Sequence, residues 1–359
     1  MFESRSFDNL LGQLYEPGEV ASFEGVIGKN LSNPIPEWAG GGPADTVPYG
    51  VAQHMNVPHL DPGEELPHVN TQLFGILNEA NIGRTYSKAP FNNPEVGRHP
   101  TMDGFVADYI SMMKAMLGRT PTYNEFDHIM AGYTQEQMPV LSSIARGFAT
   151  FDHWFCAVPS CTFPNRSFFH AGTSSGFCTN WPPADAFPAH NTAETLYDRL
   201  DAAGLTWKVY FDPAAALSIT GLIRASRLRR KFPTHFLSTD QFFEDAEKGN
   251  LPTYSFIEPQ VLGFANNDMH PLAAELFEAA GLENCITDPG VLELDLPSSL
   301  IAGEELLARI YDAIRSSCSS EGSNFSNTTL LVTFDEHGGT YDHVPPPAVA
   351  PPDPKSAPG

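Results

Sequence analysis

No Cys-x-x-Cys pair, no long apolar run and few basic residues: these three shortages narrow the reading of the chain before any motif is considered. The five cysteines (Cys156, Cys161, Cys178, Cys285 and Cys318) stand at irregular spacings. That is neither a zinc-site pattern nor an even-numbered disulfide framework. A bridge among Cys156, Cys161 and Cys178 stays open at this level. No stretch reaches the roughly 18 consecutive apolar residues that a membrane-spanning helix needs, so no transmembrane segment is expected. The opening MFESRSFDNLLG has no basic region followed by an apolar one, so it does not read as a secretory signal, and the compartment is left open. Only 20 basic residues stand against 43 acidic ones, a formal charge of −23 over 359 residues. Such a field repels nucleic-acid phosphates and anionic bilayers, so no nucleic-acid partner is expected. A phosphate-bearing substrate is tolerated where a bound divalent ion reverses the local sign.

Hydrophobic residues make up 42% of the chain, enough for a large core. Residues 13 to 70, rich in Gly, Pro and Asn, read as a long surface excursion with short elements. Helical spacing follows at Thr101–Leu117, with Thr101 or Asp103 as cap, and at Gln135–Phe148. The aromatic segment TFDHWFCAV after it reads as a strand. Asn191–Gly204, with Thr192 near its start, reads as a helix before the strand Leu205–Phe211. Thr239–Gly249 is a capped helix before the strand Leu251–Pro259, and the helix Gly303–Ser317 precedes the strand Thr328–Phe334. Helices alternating with short apolar strands predict an α/β fold, a mostly parallel sheet with helices on both faces. Ligands in such sheets collect beyond the carboxyl ends of strands.

That is where the densest chemistry falls. The stretch TFDEHGGTYDHVPPP sets Asp335, Glu336, His337, Asp342 and His343 within nine positions. Adjacent carboxylates with nearby imidazoles suit a hard or borderline divalent ion, although a solvated acidic loop explains the pair as simply. In VPSCTFPNRSFFHAG, Thr162 precedes Pro164, Asn165 and Arg166 at a helix start. Thr162 is therefore either an ordinary N-cap or a hydroxyl facing free N–H groups where a phosphate would bind. NNDMHP (Asn266–Pro271) carries His270, and the first residues carry Glu3; neither means much alone.

Taken in order, FESRSFDNLLG, the Asp61–Gly63 turn with HVNTQLFG, TFPNR, SFIEP, NDMHP and TFDEHGGTYDHVPPP resemble the phosphoesterase family of phosphatidylcholine-type phospholipases C and related acid phosphatases. The resemblance runs from residue 2 to about residue 352. It implies an alkaline-phosphatase-like fold over residues 1–344, followed by a proline-rich tail at 345–359. It also implies one divalent metal ion, of unspecified identity, held by Glu3, Ser4, Asp335 and Glu336. Thr162 takes the place of the nucleophile, with His270 and His343 as the catalytic histidines. Asn165, Arg166 and Asp342 match positions associated with the substrate pocket. The activity implied is metal-dependent hydrolysis of a phosphoric ester through a phospho-threonine, with a phospholipid or small phosphoester as substrate. Diester cleavage of the phospholipase C type is favoured over the monoesterase alternative. A catalytically dead, metal-binding member is the reading from another class.

Three departures from the family's pattern stand out. Ser4 occupies a place where Asn is usual, and Glu64 follows the Asp-Pro-Gly where many members have His. The chain begins at the metal motif, without a strand to carry Glu3, and stops in the proline-rich tail. The expectation is therefore a chain truncated at both ends. Nothing in the sequence speaks to oligomeric state.

Overall fold

A computed structural model describes residues 1–85, 89–180, 189–215, 218–261, 266–271 and 299–350. Cys285 and the proline-rich tail from residue 351 lie outside them. The helices that position the site are α1 (Phe7–Leu10), α2 (Leu66–Phe74), α3 (Phe105–Leu117), α4 (Pro139–Gly147), α5 (Thr162–Ala171), α6 (Leu196–Ala202), α7 (Thr239–Glu247) and α8 (Ser299–Ser316). The strands are β1 (Ser32–Pro34), β2 (Thr46–Pro48), β3 (Gly50–Val51), β4 (Ala131–Gly132), β5 (Trp207–Phe211), β6 (Phe236–Ser238) and β7 (Tyr254–Glu258). Mixed helices with parallel strand pairs place the chain in the α/β class.

The largest described sheet runs β6-β5-β7 and is parallel throughout. Its register pairs Phe211 with both Ser238 and Glu258, so three carboxyl ends finish at one edge. Along β5 the side chains alternate between faces. Trp207 and Val209 join a cluster with Tyr197, Leu228 and Phe256, while Tyr210 joins Phe242, Leu306 and Ile310 on the other side. Both faces are thus covered, the situation that favours parallel sheets. A further cluster unites α2 and α3 through Val69, Leu73, Phe105, Val106 and Ile110, and includes Tyr341 from the late segment.

Three expected elements take a different form. Thr328–Phe334 is not a ladder: only Phe334 bridges, in parallel, to Phe2. Two backbone bonds make that bridge, Phe2 N–H to Thr333 O (2.8 Å) and Asp335 N–H to Phe2 O (3.2 Å). With Phe2 as its partner the pairing closes after one rung. The aromatic segment after α4 is turn and bend, with Phe151 and Trp154 more than half exposed; the Val158 N–H bonds the Asn165 side chain, not a neighbouring strand. At α3 neither Thr101 nor Asp103 caps the helix, because Gly104 occupies the N-cap without a side-chain bond.

Helix boundaries elsewhere follow local chemistry. Thr195, not Thr192, caps α6 and forms a reciprocal capping box with Asp198. Ser238 caps α7 by accepting from Gln241 N–H. Ile110 is fully buried where α3 packs on α2. Ile110→Ala is expected to lower unfolding free energy by about 2–5 kcal/mol in chemical denaturation, as cavity-forming substitutions do.

Candidate active site

Three chain segments end side by side at the carboxyl edge of the sheet. The Met1 ammonium donates to Ile257 O of β7 (3.2 Å), and Phe2 bridges to Phe334. The first residues are thereby held between β7 and the late segment. Glu258, Glu3 and the Asp335–Glu336 pair emerge from these neighbouring ends, and all four side chains are buried. Beyond Glu3 the backbone turns sharply: Ser4 has φ of 54°, in the left-handed region that L-residues avoid. The turn points Ser4 N–H at Asp335 Oδ1 (3.1 Å) and the Ser4 hydroxyl at Glu336 Oε1 (2.5 Å). Gly338 must be glycine here. Its φ is 65°, and a Cβ would lie 1.8 Å from Ser4 O. Its N–H donates to Glu336 Oε2 (2.6 Å).

The fourth contribution is the start of α5. Cys161 is the N-cap, and Thr162 is the first helical residue, not the cap. The Thr162 hydroxyl donates to Glu3 Oε2 (3.2 Å). One turn later Arg166, fully buried, sends Nε to Asp335 Oδ2 (3.0 Å) and a terminal nitrogen to Glu3 Oε1, with Glu258 Oε1 3.9 Å away. Asn165 holds the preceding loop: its amide donates to the carbonyls of Val158, Ser160 and Cys161 and accepts from Val158 N–H. Cys156, Cys161 and Cys178 carry thiols, not disulfides.

The Asp61–Gly63 turn and the Asp268–His270 turn close the site. His270 Nε2 lies 3.6 Å from Glu64 Oε1, and its Nδ1 lies 3.9 Å from Asp61 Oδ1 and bonds Pro271 O. Burial alone would pull the His270 pKa down, but Asp61 and Asp268 outweigh it and raise it to about 9. The imidazole is therefore a cation at neutral pH. Glu3, Glu64 and Glu336 are pushed well above the ordinary carboxylate range, first by desolvation. Asp335 crowds Glu3, Asp61 crowds Glu64, and Glu64 crowds Glu336. Arg166 opposes the shift at Glu3.

This donor set fits a divalent metal. Five carboxylates (Glu3, Glu64, Glu258, Asp335 and Glu336) face one guanidinium and one imidazolium, and buried like charges demand compensation. Oε1 of Glu64 and Oε2 of Glu258 are buried without a hydrogen-bond partner. Oxygen donors suit a hard cation. Among the described residues Asp61, Glu64 and His270 also converge; with His270 protonated, only the two carboxylates offer lone pairs there. In the sequence Glu64 stands out only as a departure from the family's histidine; the structure sets its carboxylate beside the expected metal ligands. The DPG turn that precedes it was the available signal.

Asp342 and His343 belong to a second convergent set, with Asp8. His343 Nδ1 donates to Asp8 Oδ2 (2.7 Å), and Asp342 Oδ2 accepts from Asp8 N–H (3.3 Å). Apart from Asn165, which is engaged with its own loop, the site residues predicted from sequence fall into two groups. Glu3, Ser4, Thr162, Arg166, Asp335 and Glu336 touch one another, with His270 and Glu64 alongside.

The parallel sheet makes this an α/β protein that gathers the residues of several sequence motifs, buried acids, a helix-start hydroxyl and an arginine, at one carboxyl edge. Sequence comparison agrees: the Phosphoesterase family model matches residues 1–288 and 293–359, and the chain belongs to that family. It is 28% identical over 359 residues to non-specific phospholipase C1 of Arabidopsis thaliana, covering 99% of this chain and 54% of that protein. Non-specific phospholipase C3 of the same plant is 27% identical over 356 residues, 98% of this chain and 56% of that protein. Non-hemolytic phospholipase C of Pseudomonas aeruginosa is 30% identical over 234 residues, 60% of this chain and 29% of that protein. The chain thus spans about half the length of the plant relatives it matches.

Glu64 binds protons more tightly folded than unfolded, so its contribution to stability is lost as pH rises from its unfolded pKa through its folded one. Glu64→Gln removes that loss. In chelator the variant is expected to be more stable than the parent at neutral pH, with the advantage shrinking toward about pH 5. Thermal melts at several pH values measure it, and an advantage that grows on acidification contradicts the assignment.

Proposed function

We propose that the chain carries the site of a metal-dependent phosphoric ester hydrolase that cleaves phosphodiesters of the phospholipase C type. The observation that carries this reading is the Thr162 hydroxyl. It stands on the first residue of α5, bonded to a buried carboxylate and one turn from a buried arginine. The phospholipase names of the relatives support the choice of substrate class. The parallel sheet with acids at its carboxyl edge supports the alkaline-phosphatase-like arrangement that the resemblance implies.

One divalent cation held by Glu3, Ser4, Asp335 and Glu336 would lower the pKa of the Thr162 hydroxyl and polarise a phosphoryl oxygen. Glu3 Oε2 orients the Thr162 hydroxyl and lies where its proton departs. Thr162 Oγ1 attacks phosphorus in line, the bond from phosphorus to the leaving alcohol breaks, and a phospho-threonine remains. His270, cationic at neutral pH, gives its proton to the departing alkoxide and then takes one from the water that attacks the phospho-threonine. The Arg166 guanidinium stabilises charge on the equatorial oxygens; at the α5 start the Phe163 N–H is already bonded to Asn180 and Pro164 has none. Asn165 keeps the nucleophile loop in place through its carbonyl bonds. The chain's charge of −23 makes a zwitterionic lipid head group a better match than an anionic one.

Metal-supplemented assays on p-nitrophenylphosphorylcholine, p-nitrophenyl phosphate and phosphatidylcholine test the reading. Thr162→Ala is expected to lower kcat by about 10⁴-fold on every substrate. His270→Gln is expected to lose about 10²–10³-fold on phosphatidylcholine, while the nitrophenyl esters, whose leaving group needs no proton, still give a burst of nitrophenol before slow turnover. Preference for the monoester would replace the phospholipase reading with the phosphatase one. Absence of turnover by the folded, metal-loaded chain would leave a catalytically dead metal-binding member.

A further inference from the structure

We propose that Asp8, Asp342 and His343 form a second divalent-cation site, separate from the one at Glu3, Asp335 and Glu336. Asp8 lies in the first turn of α1, and its side chain is completely buried. Its Oδ2 accepts from both the backbone N–H and the Nδ1 of His343, each at 2.7 Å. Its Oδ1 is buried and has no hydrogen-bond partner. An orphaned carboxylate oxygen in such a place carries its full desolvation penalty. Asp342 stands against it, with Oδ2 on Asp8 N–H and Oδ1 on Val344 N–H (2.9 Å). One ligand atom from each of the three residues lies within 4.8 Å of the others.

The surroundings define the ligand class. Two carboxylates and one imidazole suit a borderline divalent ion such as Mn²⁺ or Zn²⁺ better than Ca²⁺. The outer side of the His343 ring faces Glu24 Oε2, 3.5 Å from Nε2. Coordination through Nδ1 would leave Nε2–H to donate to Glu24, the carboxylate–imidazole–metal arrangement that orients metal-bound histidines. At present the Lys29 ammonium sits 2.5 Å from Nε2 and 2.9 Å from Glu24, so the ring offers it a lone pair and keeps its proton on Nδ1. Lys29 therefore favours the cation-free tautomer, and cation entry shifts the ammonium onto Glu24 alone. The site ties α1 to a segment 334 residues away, so its occupancy stabilises the fold independently of turnover.

Mn²⁺ titration of the whole chain, followed by calorimetry and electron paramagnetic resonance, tests this. Two classes of site are expected in the parent. Glu336→Gln should remove one class, and Asp342→Asn the other. Lys29→Met, at an exposed position, should tighten the second class by about tenfold by removing a competing positive charge. An imidazole nitrogen coupling to Mn²⁺ should persist in Glu336→Gln and vanish in His343→Gln. The rise in Tm on adding Mn²⁺ should survive Glu336→Gln. Parental stoichiometry in Asp342→Asn, or Mn²⁺ affinity unchanged in Lys29→Met, overturns the proposal. A parent with only the class that Asp342→Asn removes would fail the active-site reading and leave this one standing.

Discussion

The structure depends on one buried guanidinium. Arg166 reaches Glu3 from the first residues, Asp335 from the late segment and, at longer range, Glu258 from the end of β7. These acids come from chain positions hundreds of residues apart, and the cation makes their approach tolerable. A buried ion pair contributes little net stability over apolar packing, but removing one partner strands the other charge at a penalty of about 3–5 kcal/mol. Arg166 therefore acts less as a source of stability than as a condition on the arrangement. The strand ends can converge only if α5 delivers its first turn there. The same requirement places the Thr162 hydroxyl at the carboxylates. Scaffold and chemistry share one residue.

A second layer of polar contacts connects this centre to the α2–α3 core. His337 Nε2 bonds Gln72 Oε1 (2.7 Å), Gln72 Nε2 donates to Asp108 Oδ2 (2.8 Å) and to Gly63 O, and His68 Nδ1 meets Asp108 Oδ1 (2.8 Å). Gly63 sits in the turn that presents Glu64. The packing of α2 on α3 is thus transmitted to the position of a carboxylate in the site. His337, between Glu336 and Gly338, is kept neutral by burial, its pKa lowered to about 4. It adds no charge to a centre already dominated by acids. Satisfied polar networks of this kind fix one arrangement where apolar packing alone would permit several.

Local chemistry was legible in the residues wherever a short stretch decides its own conformation. The helices over residues 105–117, 239–247 and 299–316 follow apolar periodicity, and the strands at 207–211 and 254–258 follow short β-branched and aromatic runs. Boundaries were less legible, because capping depends on which side chain meets a free N–H: Thr195 rather than Thr192 caps α6, and α5 starts after Cys161, which makes no side-chain capping bond. Thr328–Phe334 has a strand's composition but only one rung, since a strand exists through its partner. Glu64 looked like a mere departure from the family's histidine because its role depends on what faces it in space.

The sequence by itself determined the α/β class, the family and the identity of the acids, hydroxyl and arginine, because these lie in contiguous motifs whose order is written along the chain. Only the tertiary structure decided how they group. Glu3, Thr162, Arg166, Asp335 and Glu336 share one buried centre with Glu64 and His270, while Asp342 and His343, a few residues from Glu336, pair instead with Asp8. The reason is geometric. The left-handed turns at Ser4, Gly338 and Gly339 redirect the backbone within a few residues. Neighbours in sequence thus leave for different sites, and distant carboxylates meet where their charges must be compensated together.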